Sequence, residues 1–155
     1  MVKEPLKQMK TLSGINLKRL QYSKLLGEKA QEIANSCEFA HKPVTGTPWN
    51  WVANNLFIYH FSDFNKGADW NSAIQGWWDE HKNYKFGTPP AENTGHYTQL
   101  AWANTDHIGC GYIHFEDNNP KYKYHKLYVC NYAPGGNIAG QNPYQTGDSG
   151  CENLC

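Results

Sequence analysis

The chain has 155 residues, a length typical of one domain that buries about 70% of its unfolded surface. Its 14 basic and 14 acidic side chains balance, with no charged block, which argues against nucleic acid or an anionic membrane surface as a partner. No apolar run approaches the roughly 20 residues of a membrane-spanning helix. The first ten residues, MVKEPLKQMK, are too polar for the apolar segment of a signal peptide.

The first predicted element is an amphipathic helix within residues 16–37, where apolar residues recur at helical spacing. Its predicted buried face comprises Tyr22, Leu25, Leu26, Ala30, Ile33, Ala34 and Cys37. Proline and glycine residues then predict a loop over residues 40–51. The aromatic run at 52–61 is compatible with either a short strand or the start of a helix.

A second helix is predicted over residues 68–81, with Asp69 near its N-cap. Its apolar residues, which we expect to be core, are Trp70, Ala73, Ile74, Trp77 and Trp78. A loop rich in proline and glycine is predicted over residues 85–95.

Three strand-like runs follow, at residues 96–102, 109–115 and 126–132. A polar turn containing EDNNP separates the last two runs and predicts a long hairpin. Two amphipathic helices combined with an antiparallel sheet indicate an α+β layered fold.

The five cysteines favour disulfides over a metal site. No C-x-x-C pair occurs, which argues against zinc-ribbon and thioredoxin-like folds. Disulfides indicate an oxidising, extracellular compartment. Cys110 and Cys130 lie on the two arms of the predicted hairpin, where a cross-strand bridge is geometrically plausible. The odd number leaves at least one thiol free or paired with another chain.

Three polar residues are candidates for a shared cleft. His96 opens the run at 96–102, Glu80 lies near the end of the second helix, and His41 lies just past the first. Each residue alone is more often an ordinary capping or surface group. Two imidazoles and a carboxylate meeting in one cleft would suit Zn²⁺ or another borderline metal.

The other histidines have simpler interpretations. His114 and His125 are expected to be exposed, although they are also candidates for an adventitious metal pair across the hairpin. His60, His81 and His107 have no evident partner in the sequence.

Together with the first helix, four stretches carry a family signature. They are CEFAH (37–41), WWDEHKNYKFG (77–87), GHYTQLAWANTDHIGCG (95–111) and YVCNYAPGGNIAGQNPY (128–144). In this order they resemble the CAP superfamily (SCP/TAPS domain) of cysteine-rich secretory, antigen 5 and pathogenesis-related class 1 proteins. The antigen 5 and helminth venom-allergen-like branches look most similar.

The resemblance implies a single-domain α-β-α sandwich, in which a three-stranded antiparallel sheet lies between helical layers. We expect the CAP domain at residues 1–144, including the N-terminal helix, and a short cysteine-containing tail at 145–155.

The resemblance also bears on the cysteines. It supports a Cys110–Cys130 disulfide, whereas the usual partner of the cysteine at position 37 is missing. Cys37 is then either a free thiol or paired with the tail, where Cys151 and Cys155 are alternatively able to bridge each other.

The family's central cleft is lined by two histidines and two acidic residues. By position, His41 resembles the first histidine, His96 the second, and Glu80 the second acid. Asn54 stands where the first acid is usual. Its carbonyl can still accept a hydrogen bond from an imidazole N–H, but the missing carboxylate is expected to weaken metal binding.

Three functions are open at this point. The resemblance implies a secreted protein that binds a sterol, fatty acid or related lipid, holds Zn²⁺ or another divalent metal in its cleft, and acts on extracellular or host targets. The alternative is a zinc-dependent peptidase or hydrolase using His41, Glu80 and His96, against which Asn54 and the lack of an H-E-x-x-H motif count. A protein-interaction scaffold without cleft chemistry is the third. A binding protein is favoured over an enzyme.

Overall fold

A computed structural model describes residues 16–64 and 67–147. Within them the strands are β1 (Gln21–Tyr22), β2 (Ala53–Phe61), β3 (His107–Glu116) and β4 (Tyr124–Ala133). The α-helices in the same part of the chain are α1 (Lys24–Ala34), α2 (Trp70–Asp79) and α3 (Gly95–Leu100), and a 3₁₀ turn, Glu80–Asn83, follows α2. The terminal segment MVKEPLKQMK and the tail cysteines Cys151 and Cys155 lie outside the described residues.

The sheet has the order β1-β3-β4-β2. Strands β3 and β4 form the predicted hairpin, and β2, which the sequence left between strand and helix, pairs antiparallel with β4. Cys110 and Cys130 face each other in the hairpin register and are joined by a disulfide. Cys37 is bonded to no other described cysteine.

The prediction of a three-stranded antiparallel sheet is wrong in one respect, because the sheet has four strands and is mixed. The extra strand, β1, runs parallel to β3. Its backbone donates from Gln21 N–H to the Asp106 carbonyl at 2.8 Å, and the next residue but one, Ser23, donates to Ile108 at 2.8 Å. The two-residue β1 therefore satisfies backbone groups along the edge of β3.

The first helix is shorter than its sequence pattern. It begins at Lys24 after an N-cap, Ser23, whose hydroxyl oxygen accepts a hydrogen bond from the Leu26 N–H at 3.3 Å. Tyr22, predicted on the buried face, is instead 70% exposed in β1. Cys37 lies beyond the helix with a φ of 58°.

Two glycines in β3 allow α1 to lie directly on the sheet. A Cβ added at Gly109 would collide with the backbone of Gly27, and one at Gly111 with the backbone of Gln31. The GCG sequence of β3 therefore permits a close helix–strand approach that no larger residue allows. On this face of the sheet the buried contacts are made by Ala30, Ile33, Ala34, Leu56, Leu127 and Val129.

The second helix forms as predicted, and its N-cap is confirmed: the Asp69 side chain accepts from the Ser72 N–H at 3.0 Å. Trp77 and Trp78 are each 1% exposed, so the tryptophan stripe belongs to the core. Trp77 packs with Cys130 and Tyr132 on the face of the sheet opposite α1. Helices therefore cover both faces of the sheet.

The prediction of a strand at residues 96–102 is wrong, because Gly95–Leu100 forms the helix α3. Its own N-cap, Thr94, makes no side-chain capping bond. The carboxylate of Glu80 caps it instead, accepting from the N–H groups of His96 at 2.8 Å and Tyr97 at 3.1 Å. A carboxylate is well suited to the unpaired donors of a helix start. The predicted loop over 40–51 is confirmed, as is the loop from residue 85 up to α3.

Candidate functional site

Glu80 and His96 form a close pair at the junction of the 3₁₀ turn and α3. Besides capping α3, the Glu80 carboxylate lies with Oε1 2.7 Å from His96 Nδ1. The Glu80 side chain is 16% exposed and that of His96 29%. The imidazole also stacks on the ring of Trp77, with the ring centroids 6.3 Å apart. Glu80 and His96, which the sequence analysis placed in one cleft, are therefore in direct contact.

This contact selects the tautomer of His96. An ionised carboxylate only accepts hydrogen bonds, so the imidazole proton must lie on Nδ1. In that tautomer Nε2 carries the lone pair, which can bind a metal ion. Carboxylates orient metal-binding histidines in this way in known sites.

His41 is held in the same way by an amide. Its Nδ1 is hydrogen-bonded to Asn54 Oδ1, and Asn54 Nδ2 donates to the Lys42 carbonyl at 3.0 Å. Because Nδ2 is used on a carbonyl, Asn54 presents its oxygen to the imidazole, and His41 must donate from Nδ1. Nε2 of His41 is therefore also available. Asn54 therefore orients the imidazole of His41 and, being an amide, brings no negative charge.

The neighbouring residue Asn55 brings the second pair to the same end of β2. Asn55 is 2% exposed, and its Nδ2 donates to the His96 carbonyl at 3.1 Å. Consecutive residues of β2 therefore bond the two histidines: Asn54 bonds the His41 side chain, and Asn55 bonds the backbone of His96. Among the described residues, no three or more His, Cys, Asp or Glu side chains form a group able to hold a metal ion. The metal set of His41, His96 and Glu80 stays a prediction.

A third histidine cluster lies at the far end of β2. His60 and His125 are directly opposite in the strand register, and their Nδ1 atoms are 2.6 Å apart. His125 Nε2 lies 3.0 Å from Asp117 Oδ1. His125 is only 3% exposed, so the expectation that it is exposed is wrong, and His60 does have a partner. The contact between His60 and His125 depends on the pairing of β2 with β4. The sequence pattern alone does not specify this pairing.

A groove of about 310 Å³ lies where the start of α2 meets β2 and β4. Its lining combines the rings of Phe57, Tyr59 and Tyr128 with the charged side chains of Asp69 and Lys126. Hydrogen bonds, chiefly from the Ser72 hydroxyl, hold the pKa of Asp69 below its usual range. Burial raises the pKa of Tyr128, which therefore stays neutral near pH 7. Sequence reasoning missed this groove, because nothing in the run at 126–132 shows which face Lys126 occupies.

A second depression, of about 570 Å³, is lined mainly by amides and small residues around Tyr144. Within the ranges 16–64 and 67–147, no helix combines the length and apolarity that crossing a membrane requires.

Comparison with known proteins gives a consistent family match. The family model described as CAP, the Cysteine-rich secretory protein family, matches residues 13–132. A salivary antigen-5 from Dipetalogaster maximus is 37% identical over 142 residues, covering 88% of this chain and 56% of its own length. A venom allergen 5 from Vespula flavopilosa is 38% identical over 136 residues, covering 84% and 64%. The chain thus spans between about half and two thirds of these curated relatives.

Solved structures of similar fold support the same assignment. Schistosoma mansoni venom allergen-like protein 4 superposes with a TM-score of 0.71 at 28% identity, covering 94% of this chain and 90% of the other. The structure of NaASP2 with Zn²⁺ has a TM-score of 0.66 at 22% identity, covering 92% and 78%. The latter similarity concerns the fold alone.

Proposed function

Because this chain belongs to the CAP family of cysteine-rich secretory proteins, we propose that it is a secreted binding protein of the antigen 5 and venom-allergen kind. It takes a small hydrophobic ligand, such as a sterol, a fatty acid or a related lipid, and acts on extracellular or host targets. The Cys110–Cys130 disulfide supports an oxidising compartment. The names of the matched salivary and venom relatives support the same location.

The observation that carries this proposal is the aromatic floor of the groove beside α2. Phe57 and Tyr59 are two residues apart and therefore lie on the same face of β2. Tyr128 lies opposite Phe57 on β4. Trp70, the first residue of α2, packs edge-on against Tyr128 with centroids 5.1 Å apart. Tyr59, farther along the strand, is 54% exposed. An apolar ligand that covered these rings would remove aromatic surface from water, and the volume suits a small one.

We expect the protein to bind a divalent metal weakly at His41 and His96, in addition to the lipid. Both histidines use Nδ1 for a hydrogen bond, and no described residue bonds Nε2 of either one. Imidazole nitrogen is a good ligand for Zn²⁺. Two imidazoles supply half of a tetrahedral set, so other ligands must complete it. A bound zinc would supply Lewis acidity. Glu80 has both oxygens engaged with α3 and His96, which places it behind the histidine and argues against the peptidase alternative.

Ligand uptake tests the lipid proposal. Purified protein is titrated with fluorescent cholesterol and a fluorescent fatty acid, and we expect saturable binding of at least one. Tyr59→Glu should weaken it, because the charge enters the aromatic floor. Phe39→Glu is the matched control, since Phe39 is 56% exposed and outside the groove. Absence of uptake, or equal loss in both variants, contradicts the proposal.

Zinc titration tests the cleft independently of lipid. We expect His41→Ala and His96→Ala each to weaken zinc binding in calorimetry. His60→Ala is the control, because its imidazole belongs to the separate pair with His125. If only His60→Ala lowers zinc binding, the metal site is at the far end of β2 and the cleft assignment is wrong.

A further inference from the structure

The depression around Tyr144 is lined by amides and carries no charge. Its amide residues are Asn16, Asn104, Gln141, Asn142 and Gln145. None of the described residues that line it is Asp, Glu, Lys, Arg or His, although the chain has 14 acidic and 14 basic side chains. This amide depression, of about 570 Å³, lies within the range of about 300–1,000 Å³ that small-molecule sites occupy. It shares no lining residue with the groove beside α2 and is therefore a separate candidate site.

The amides of this depression have no intramolecular task. The side chains of Asn104, Gln141 and Asn142 are exposed and make no hydrogen bond with any described residue. The amides of Gln31 and Gln99, by contrast, bond the backbone of distant segments. Each amide without a partner offers two donors and one acceptor to a ligand.

Backbone hydrogen bonds hold the segment at 141–145, which carries most of these amides. The Pro143 carbonyl accepts from the Ala103 N–H at 2.7 Å. The Gln145 N–H donates to Asn16 Oδ1, also at 2.7 Å. A segment that is already held on both sides loses less conformational freedom when a ligand binds, so less of the binding energy is lost to ordering.

Phe86 adds an apolar surface beside the amides. Its ring is 40% exposed and packs on the ring of Tyr144, with the centroids 5.5 Å apart. Tyr144 is only 6% exposed, and its hydroxyl lies 3.2 Å from that of Tyr97, which anchors it in the core. The exposed ring therefore rests on a fixed one. The face of an aromatic ring carries partial negative charge, which attracts polarised C–H groups.

We propose that the amide depression binds a neutral saccharide. The hydroxyls of a sugar both donate and accept hydrogen bonds, as the amides of Asn104, Gln141 and Asn142 do. The C–H face of the sugar ring matches the exposed ring of Phe86. A sulfated or phosphorylated ligand would lose hydration in the depression without meeting an opposite charge, which is unfavourable. This binding activity goes beyond the proposed function, because lipid and saccharide occupy different surfaces.

The test is saturation-transfer NMR on the purified full chain. The probes are four neutral disaccharides (cellobiose, maltose, lactose and N,N′-diacetylchitobiose) and a sulfated heparin disaccharide. We expect saturable binding of at least one neutral probe, tighter than that of the sulfated one. Asn104→Ala and Gln141→Ala should each weaken it about two- to tenfold, the magnitude of one neutral hydrogen bond. Phe86→Ala should weaken it at least as much.

The controls are matched in residue type and exposure. Asn118→Ala is the control for the amides, because Asn118 is exposed between β3 and β4 and lies outside the depression. Phe39→Ala is the control for Phe86, since Phe39 is 56% exposed. Should Phe86→Ala fail to fold, Asn104→Ala and Gln141→Ala decide the test, because neither side chain bonds a described residue.

Three results would overturn the saccharide site. The first is no binding of any of the four neutral probes. The second is binding of the sulfated probe as tight as that of the best neutral one, since the site then selects an anion. The third is equal loss of affinity in the depression variants and their controls. None of these results bears on lipid uptake, which is measured with different probes at a different surface.

Discussion

Removing the Glu80 side chain should destabilise the protein by about 3 kcal/mol. In Glu80→Ala, the N–H groups of His96 and Tyr97 lose their acceptor, as does His96 Nδ1. A single hydrogen bond to a charged group contributes about 1.5–3 kcal/mol net, and loss of a helix N-cap costs about 1 kcal/mol. These contributions overlap, because all three donors belong to one short segment. Six residues are too few for α3 to persist without such support.

The assay is urea unfolding followed by tryptophan fluorescence, with a thermal melt as a second measurement. A loss of this size should lower Tm by about 6–12 °C in a chain of this length. Hydrogen exchange should show the amides of His96 and Tyr97 losing protection first. Glu80→Gln, which keeps one neutral acceptor, should fall between wild type and Glu80→Ala.

Asp79→Ala is the matched control for this prediction. Asp79 precedes Glu80 and bonds only Lys82 and Gln75 on the surface, so its removal should cost less than about 1 kcal/mol. If Glu80→Ala and Asp79→Ala destabilise equally, Glu80 is not the cap of α3, and the account of both the helix and the His96 tautomer is wrong.

Two further predictions concern packing and alkaline pH. Gly111→Ala should cost about 1–3 kcal/mol in urea unfolding, because its Cβ meets the Gln31 backbone. A Cβ at Gly95 would lie 3.8 Å from Asn137 Nδ2, so Gly95→Ala should be neutral or stabilising by up to about 1 kcal/mol. Equal losses in the two variants would refute the close approach of α1 to β3. Burial, with the Tyr144 hydroxyl, raises the pKa of Tyr97 above its ordinary value of 10.0. The unfolded chain therefore releases this proton first, so the contribution to stability is complete below about pH 10 and is lost as pH rises. Tyr97→Phe should flatten the fall in unfolding free energy above about pH 10, and an unchanged slope there would contradict the assignment.

Local signals predicted the elements whose stabilising contacts are local. Asp69 caps the residue three positions later, and the hairpin brings Cys110 against Cys130 through one turn. The chemistry of an amide likewise predicted that Asn54 is able to serve His41, and that hydrogen bond is present.

Distant contacts account for what the sequence did not show. The cap of α3 comes from Glu80, 16 residues earlier, so the alternation in GHYTQL favoured a strand. The exposure of Tyr22 follows from β1 lying beside β3, and the burial of His125 follows from β2 lying beside β4. The face on which Lys126 lies is likewise fixed by its pairing with Tyr59.

The cleft and the groove beside α2 differ in how closely function is tied to folding. Glu80 supports α3 and orients His96 with one carboxylate, so a variant at Glu80 changes stability and the cleft together and cannot report on metal binding alone. Lys126 lines the groove beside α2, and its Nζ lies 5.0 Å from the centroid of the Phe61 ring. Replacing it by methionine keeps the apolar stem of the side chain, so we expect a change of less than about 1 kcal/mol in the free energy of unfolding. A variant at Lys126 therefore reports on ligand binding in the groove separately from folding, which a variant at Glu80 does not.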